Sequence, residues 1–299
     1  MAIIDLIENR ALVYLTLAAV LGLIVGSFLN VVIYRLPIML NRDWTRQCRE
    51  FLHEDQGESA PLAKDNSPDQ FNLATPGSHC ITCKHKIRAW ENIPVLSYLM
   101  LGGRCSLCQT RISLRYPVVE LSSGILAGLI VWNFGIGWTS LALLLLSWSL
   151  LTLALIDFDH QLLPDDITQP LLWTGLLVNW LDLGLGVTIE EAVIGAVAGY
   201  LSLWSFYQLF KLLTGKKGMG FGDFKLLAAL GAWMGWQSLL TIIILASLAG
   251  SVVGIATLML SGRDRSVPIP FGPFLAAAGF IMILWGPQIN ALYFSTFVG

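Results

Sequence analysis

Along its length the chain sets out long apolar runs separated by short polar breaks, not the alternating faces of surface helices. The first run covers 11–33. A polar region follows over 34–116, and further apolar runs lie at 118–134, 138–156, 167–183, 192–213, 226–236, 239–260 and 271–294. A helix of about 20 apolar residues spans the ~30 Å hydrocarbon layer of a bilayer. The pattern predicts an all-α polytopic membrane protein of about eight transmembrane helices, with a small lobe between helices 1 and 2. Three parts follow: a first transmembrane helix in 1–33, a cytoplasmic lobe over 34–116 and a multi-helix membrane domain over 117–299. The run at 226–236 is short, and Gly235-Trp-Gln-Ser238 alone divides it from the next. A stretch rich in Pro, Asp, Glu and Ser near 54–70 predicts a mobile loop.

Composition agrees with the runs. Of the 299 residues, 55% are hydrophobic and 13% charged, and the mean hydropathy is +0.68. Soluble domains carry about 25% charged residues. Asp5, Glu8 and Arg10 precede the first run. Without a basic leader before it, and at this length, the run reads as a retained span instead of a cleaved signal. A net charge of −2 gives no sign of a nucleic-acid partner, and none is expected.

The placement of charge sets orientation. All Lys and Arg residues except Arg10 fall in three segments: the 34–116 region, the loop carrying Lys211, Lys216, Lys217 and Lys225, and the loop carrying Arg263 and Arg265. With eight spans these share one side, which the positive-inside rule makes cytoplasmic. The loop at 157–166 then lies on that side too.

Two kinds of chemistry stand out. Cys80-Ile-Thr-Cys83 and Cys105-Ser-Leu-Cys108 are paired C-x2-C turns, which predict a tetrahedral four-cysteine zinc site. Two disulfides are the other reading, disfavoured on a reducing side of the membrane. Four protein ligands leave no open position, so the metal is structural. His85 could replace one ligand, and Cys48 stands apart.

The second is a set of carboxylates at span ends. Asp157-Phe-Asp159-His160 closes the third span, Pro164-Asp165-Asp166 opens the fourth, and Gly218-Met-Gly220-Phe-Gly222-Asp223 precedes the sixth. Ionisable groups at such depth are functional candidates. Two carboxyls brought together share a proton, one acting as base on water and the other as acid on a carbonyl. Asp157, nearest an apolar run, and Asp223 are the candidates for that pair. Glycines at alternate positions disfavour helix, so Gly220 and Gly222 predict an extended segment onto which a substrate strand adds. Each acid also has a plainer role. Asp165 or Asp166 can cap a helix. Asp159 can be a solvated loop residue or a support for its neighbour. Asp223 can pair with Lys225, and Glu120 can pair with Arg115 or snorkel.

Over nearly its whole length the sequence resembles the type IV prepilin peptidases, the leader peptidase/N-methyltransferases of type IV pilus and type II secretion systems. The residues that carry the likeness are Gly26-Ser-Phe-Leu-Asn-Val-Val-Ile-Tyr-Arg-Leu-Pro37, both cysteine pairs, Trp90-Glu-Asn-Ile-Pro94, Arg115-Tyr-Pro-Val-Val-Glu120, Ile156-Asp-Phe-Asp-His-Gln-Leu-Leu-Pro-Asp165, Gly218-Met-Gly-Phe-Gly-Asp-Phe-Lys-Leu-Leu227 and Pro268-Ile-Pro-Phe-Gly-Pro273. The resemblance implies that Asp157 and Asp223 are catalytic, with Asp159, Asp165, Gly220 and Gly222 supporting. It implies cleavage of prepilins and pseudopilins after a glycine at the cytoplasmic face of the bacterial inner membrane. It also implies N-methylation of the new terminus with S-adenosylmethionine as donor. Asp159, Asp165 and Asp166 would attract the basic leader. No dinucleotide-type glycine motif is present, so the donor is sought beside the zinc site, at Glu91, Asn92 and Gly103. The competing reading is a Mg-dependent membrane transferase using Asp157 and Asp159; a proton-coupled transporter is disfavoured because the carboxylates lie at the membrane edge.

Overall fold

The computed structural model describes residues 2–56, 71–216, 218–261 and 269–297. Its regular elements are α1 (Ala2–Gln56), α2 (Leu96–Met100), α3 (Arg115–Phe134), α4 (Trp138–His160), α5 (Asp165–Trp180), α6 (Ile189–Thr214), α7 (Phe221–Met234), α8 (Leu239–Ser261) and α9 (Gly272–Phe297). There are no strands among the described residues, only isolated bridges pairing His79 with Lys86 and Arg104 with Arg111. Each of the eight predicted apolar runs is a helix. Six of them, α1, α3, α4, α6, α8 and α9, are long and apolar enough to cross a membrane. Helices α5 and α7, at 16 and 14 residues, are too short to cross a ~30 Å layer alone.

Two compact units divide the chain: Met1–Ala19 with Leu126–Gly299, and Val20–Ile125. In the first, α7 is the core. Phe224 and the residues from Leu226 to Met234 are buried along its whole circumference, so it is enclosed by protein. Glycines let its neighbours close on it. A Cβ at Gly195 of α6 would meet the backbone of Gly231, and one at Gly199 would lie 2.7 Å from the Leu227 carbonyl oxygen. Small residues four apart permit this backbone approach between helices in lipid. From α5, Gly175 faces the Trp233 indole, whose Nε1–H donates to the Leu171 carbonyl at 2.8 Å. The Asn179 amide donates to the Ala232 carbonyl at 2.7 Å. Gly279 of α9 leaves room for Leu230.

The break between spans six and seven is where the sequence places it. Gly235 ends α7 at φ +75°, which a β-carbon disfavours, and a short 3-10 turn over Trp236–Ser238 leads into α8.

In the second unit, α1 meets α3 along one seam. The Ser123 hydroxyl donates to the Gly22 carbonyl at 2.6 Å and the Asn30 amide to the Tyr116 carbonyl at 3.1 Å. A Cβ at Gly26 would lie 2.8 Å from the Glu120 Cα. Helix α1 runs 55 residues, well past the 11–33 span and through Pro37 to Gln56. Arg46 pairs with Asp43 and Glu50 on this exposed continuation. Of the stretch expected to be a mobile loop, 54–56 thus belong to α1 and 57–70 lie outside the described residues. Lys217, Arg263 and Arg265, used for orientation, and Pro268 lie outside them as well.

The packing of α7 gives a direct test. Replacing Gly231 by Val sets a branched side chain against the Gly195 backbone. It should cost about 1–3 kcal/mol, read as a lower thermal midpoint in detergent. An unchanged midpoint would contradict the close α6–α7 contact.

Candidate active site

Asp157 and Asp223 come from different helices and reach one end of the bundle. Helix α4 continues past Ile156 to His160, so Asp157 lies in its last turn, and the Gln161 N–H closes that turn on the Asp157 carbonyl at 2.8 Å. Helix α7 begins at Phe221, five residues before the predicted run, so Gly222 and Asp223 are already helical. The expectation of an extended glycine segment is corrected: Gly220, the N-cap of α7, is extended, and Gly222 lies inside the helix. Rings settle the earlier start: Phe221 packs on Phe224 at 5.5 Å, and Tyr207 of α6 packs on both at 5.5 and 5.8 Å. Asp223 occupies the first turn of α7, where the helix dipole favours an anion.

The two carboxyls share one buried patch. Asp157 is 6% exposed and Asp223 8%. The Gly272 N–H, at the start of α9, donates to Asp157 Oδ2 at 3.0 Å. Leu163 joins the two sides. A Cβ at Gly222 would lie 2.7 Å from the Leu163 Cβ, and one at Gly272 would lie 3.3 Å from the Leu163 Cδ1. Gly272 has no room for a side chain, because its Cβ would lie 2.6 Å from Asp157 Oδ2. Gly220 differs: a Cβ there meets Asp223 Oδ2 only at 3.8 Å, and the residue is exposed. Gly272 was not singled out from the sequence; the only signal was its place in the Pro-rich motif that opens α9.

The remaining acids take other places. The Lys225 ammonium contacts both Asp165 oxygens at 2.7 Å, so the cation next to Asp223 is bound to Asp165. The N-cap of α5 is Pro164, with Asp165 and Asp166 in its first turn. This corrects the capping role expected of one of them; the two acids instead complement the helix dipole. Asp159 is exposed. Glu120 accepts the Val95 N–H at 2.8 Å. Among the described residues, the only His, Cys, Asp or Glu side chains grouped closely enough to hold a metal are the four cysteines.

Those cysteines form a matched pair of turns. In each, the amide four residues after the leading cysteine donates to that cysteine's carbonyl, Lys84 to Cys80 at 3.0 Å and Gln109 to Cys105 at 3.1 Å. Lys84 and Gln109 are both left-handed, at φ +59° and +56°. The four sulfurs lie within 4.8 Å of one another, with Cys80–Cys108 at 3.7 Å and Cys83–Cys105 at 3.9 Å. Four Zn–S bonds of about 2.3 Å in a tetrahedron require sulfurs about 3.8 Å apart, so the set fits zinc. Hydrogen bonding with the Thr110 side chain and backbone pulls the Cys108 thiol down to about 6. At Cys83 the His85 backbone bond acts the other way from burial and the three other thiols, which push it up to about 12. A bound cation is what lets all four ionise together.

Glu91 holds the two turns to each other. Its carboxylate accepts the Arg88 N–H at 2.9 Å and lies 3.8 Å from the His85 ring. Hydrogen bonds from the Arg88 backbone and the Ser106 side chain keep its carboxyl below the usual range. Gly103, at φ +67°, lies under the Tyr98 ring, with no room for a side chain. Glu91 and Gly103 thus take part in the lobe's own structure, with Asn92 exposed beside them.

Two family models match the chain. Residues 20–134 match the bacterial peptidase A24 N-terminal domain and residues 144–255 the type IV leader peptidase family. Proteins named prepilin leader peptidase/N-methyltransferase are similar over nearly the full length. The one from Stutzerimonas stutzeri is 54% identical over 97% of each chain, and that from Pseudomonas aeruginosa 50% over 98% of each. The one from Neisseria gonorrhoeae is 51% identical over 89% of this chain and 88% of its own. No solved structure matches.

The metal assignment predicts about one Zn2+ per purified chain by elemental analysis. Cys83→Ser or Cys105→Ser should remove most of it, while Cys48→Ser, at an exposed cysteine outside the cluster, should leave it unchanged. Equal zinc in all variants would contradict the site.

Proposed function

The chain belongs to the type IV leader peptidase family, and from that premise we propose that Asp157 and Asp223 are its acid–base pair, working at the cytoplasmic face of the inner membrane. The enzyme removes the leader peptide of prepilins and methylates the new N-terminus, with S-adenosylmethionine as donor. Pseudopilins of type II secretion are the second substrate class in this reading, and no nucleic acid takes part. The carrying observation is the shared patch of two buried carboxyls, one fixed by the Gly272 N–H.

The two carboxyls hold one proton between them, because two like charges brought together in one buried patch cannot both persist. The ionised partner takes a proton from water as its oxygen adds to the scissile carbonyl carbon, and the protonated partner donates to the carbonyl oxygen. Collapse of the tetrahedral carbon breaks the C–N bond, and the proton passes to the leaving amine. The Gly272 N–H holds Asp157 Oδ2 in place through this exchange. Space beside Gly220 admits the substrate backbone next to Asp223, where a strand can pair with Gly218–Gly220. A cavity of about 110 Å³ between Phe206, Tyr207, Phe210, Gly218 and Met219 suits an apolar side chain near the cut. Asp159, Asp165 and Asp166 are the acids that would attract a basic leader, and Asp165 also holds Lys225. The zinc lobe is the proposed seat of methyl transfer, with no step assigned to Glu91, Asn92 or Gly103. The transferase reading loses its support with membership of a peptidase family.

Asp157→Asn and Asp223→Asn should each lower leader cleavage by about 10²–10⁴-fold, followed by the mass of a purified prepilin. Gly272→Ala, which forces Asp157 aside, should lower it by roughly 10²-fold. Full cleavage by either Asn variant would refute the pair. Activity that stops when magnesium is removed would favour the transferase-type site.

A further inference from the structure

Helix α2 buries none of its residues. Leu96, Leu99 and Met100 are 57%, 69% and 80% exposed. At spacings of three and four they line one helical face. Tyr98 turns the other way, with its ring against Gly103 and its hydroxyl donating to the Ile112 carbonyl at 3.5 Å. An apolar face of this kind needs a cover, and the location of α2 identifies it.

The Val95 N–H, immediately before α2, donates to Glu120 Oε2 at 2.8 Å. Glu120 lies in α3, a helix of 20 residues suited to crossing a bilayer, about 7.5 Å along the axis from its first residue. Its position is fixed by the tight seam to α1, where its Cα leaves no room for a Cβ on Gly26. The start of α2 is therefore tied to the second turn of a helix long and apolar enough to cross a membrane. The buried Glu120 carboxylate, accepting that backbone amide, meets the requirement that buried polar groups be paired. Val95 itself stands at φ +59° and ψ −46°, a costly backbone for a β-branched residue, and the Glu120 contact helps to hold it there.

We propose that α2 is a membrane foot: Leu96, Leu99 and Met100 embed among the acyl chains of the leaflet that α3 enters from Arg115, and rest the zinc lobe on the bilayer. Exposed Lys84, Lys86, Arg104 and Arg111 on the same lobe supply the cations that an anionic headgroup layer attracts. Val118 and Leu121, 55% and 45% exposed, are the apolar residues of α3 on either side of Glu120, in the span that would enter the same leaflet.

The test uses the full-length wild-type enzyme in liposomes of phosphatidylethanolamine and phosphatidylglycerol doped with a lipid carrying a diazirine in its acyl chain. After photolysis, adducts are mapped by mass spectrometry. Residues 96–100 should be labelled as strongly as Val118 and Leu121, and several-fold more than Ile81 and Leu107, which are 66% and 67% exposed on the zinc turns. Labelling of 96–100 no stronger than at Ile81 and Leu107 would overturn the proposal. So would an absence of lipid adducts at 96–100 beside strong adducts at Val118 and Leu121, which would assign the face to a second copy or to substrate.

Discussion

The membrane unit depends on one constraint: a 14-residue helix, α7, is enclosed on all sides by protein. It is too short to cross a bilayer unaided and too apolar to face water. Its neighbours come close only because glycines at 175, 195, 199, 231 and 279 remove the side chains that would hold them off. That enclosure fixes the position of Asp223 in its first turn. The same bundle brings the end of α4, with Asp157, and the start of α9, with the Gly272 amide, to the same place. Leu163, between Gly222 and Gly272, is the apolar joint of the site. The rigidity needed to hold two carboxyls together comes from backbone contacts distributed through the bundle, not from bonds between the acids themselves.

The zinc lobe solves a different problem. It is small, has few buried apolar residues, and is organised around two near-identical cysteine turns. Arg35 ties it to α1: its guanidinium donates to the Asn72 carbonyl at 2.9 Å and the Pro76 carbonyl at 2.5 Å. Glu91 and Tyr98 bind the turns to the segment that follows. Metal, arginine and glutamate here perform the work that a hydrophobic core performs in a larger domain.

Much of this was legible in the sequence, because membrane spans and cysteine pairs write long-range structure into local pattern. Length and hydropathy located the eight helices, and the Gly235 break placed the boundary after α7. The spacing of the cysteines announced their cluster. The helix ends were less legible. Alternating glycines suggested an extended chain up to Asp223, yet the aromatic contacts of Phe221 and Phe224 with Tyr207 draw Gly222 into the helix. Asp165 and Lys225 are far apart in the chain, so local reading gave neither its partner. Gly272 escaped notice because its role is that of a backbone amide, which carries no side-chain signature. The placement of α2 against α3 rests on a hydrogen bond between Val95 and Glu120, again a long-range contact to a main-chain group.

The central claim is that the carboxyls of Asp157 and Asp223 act on one atom. An experimental structure of the enzyme in lipid, bound to a peptide of the prepilin junction with a hydroxyl-bearing transition-state isostere at the scissile position, tests it most directly. The account predicts the isostere hydroxyl within about 2.6–3.2 Å of both carboxyls. A hydroxyl bound by only one of them, with the other turned away from the cleaved bond, would contradict it.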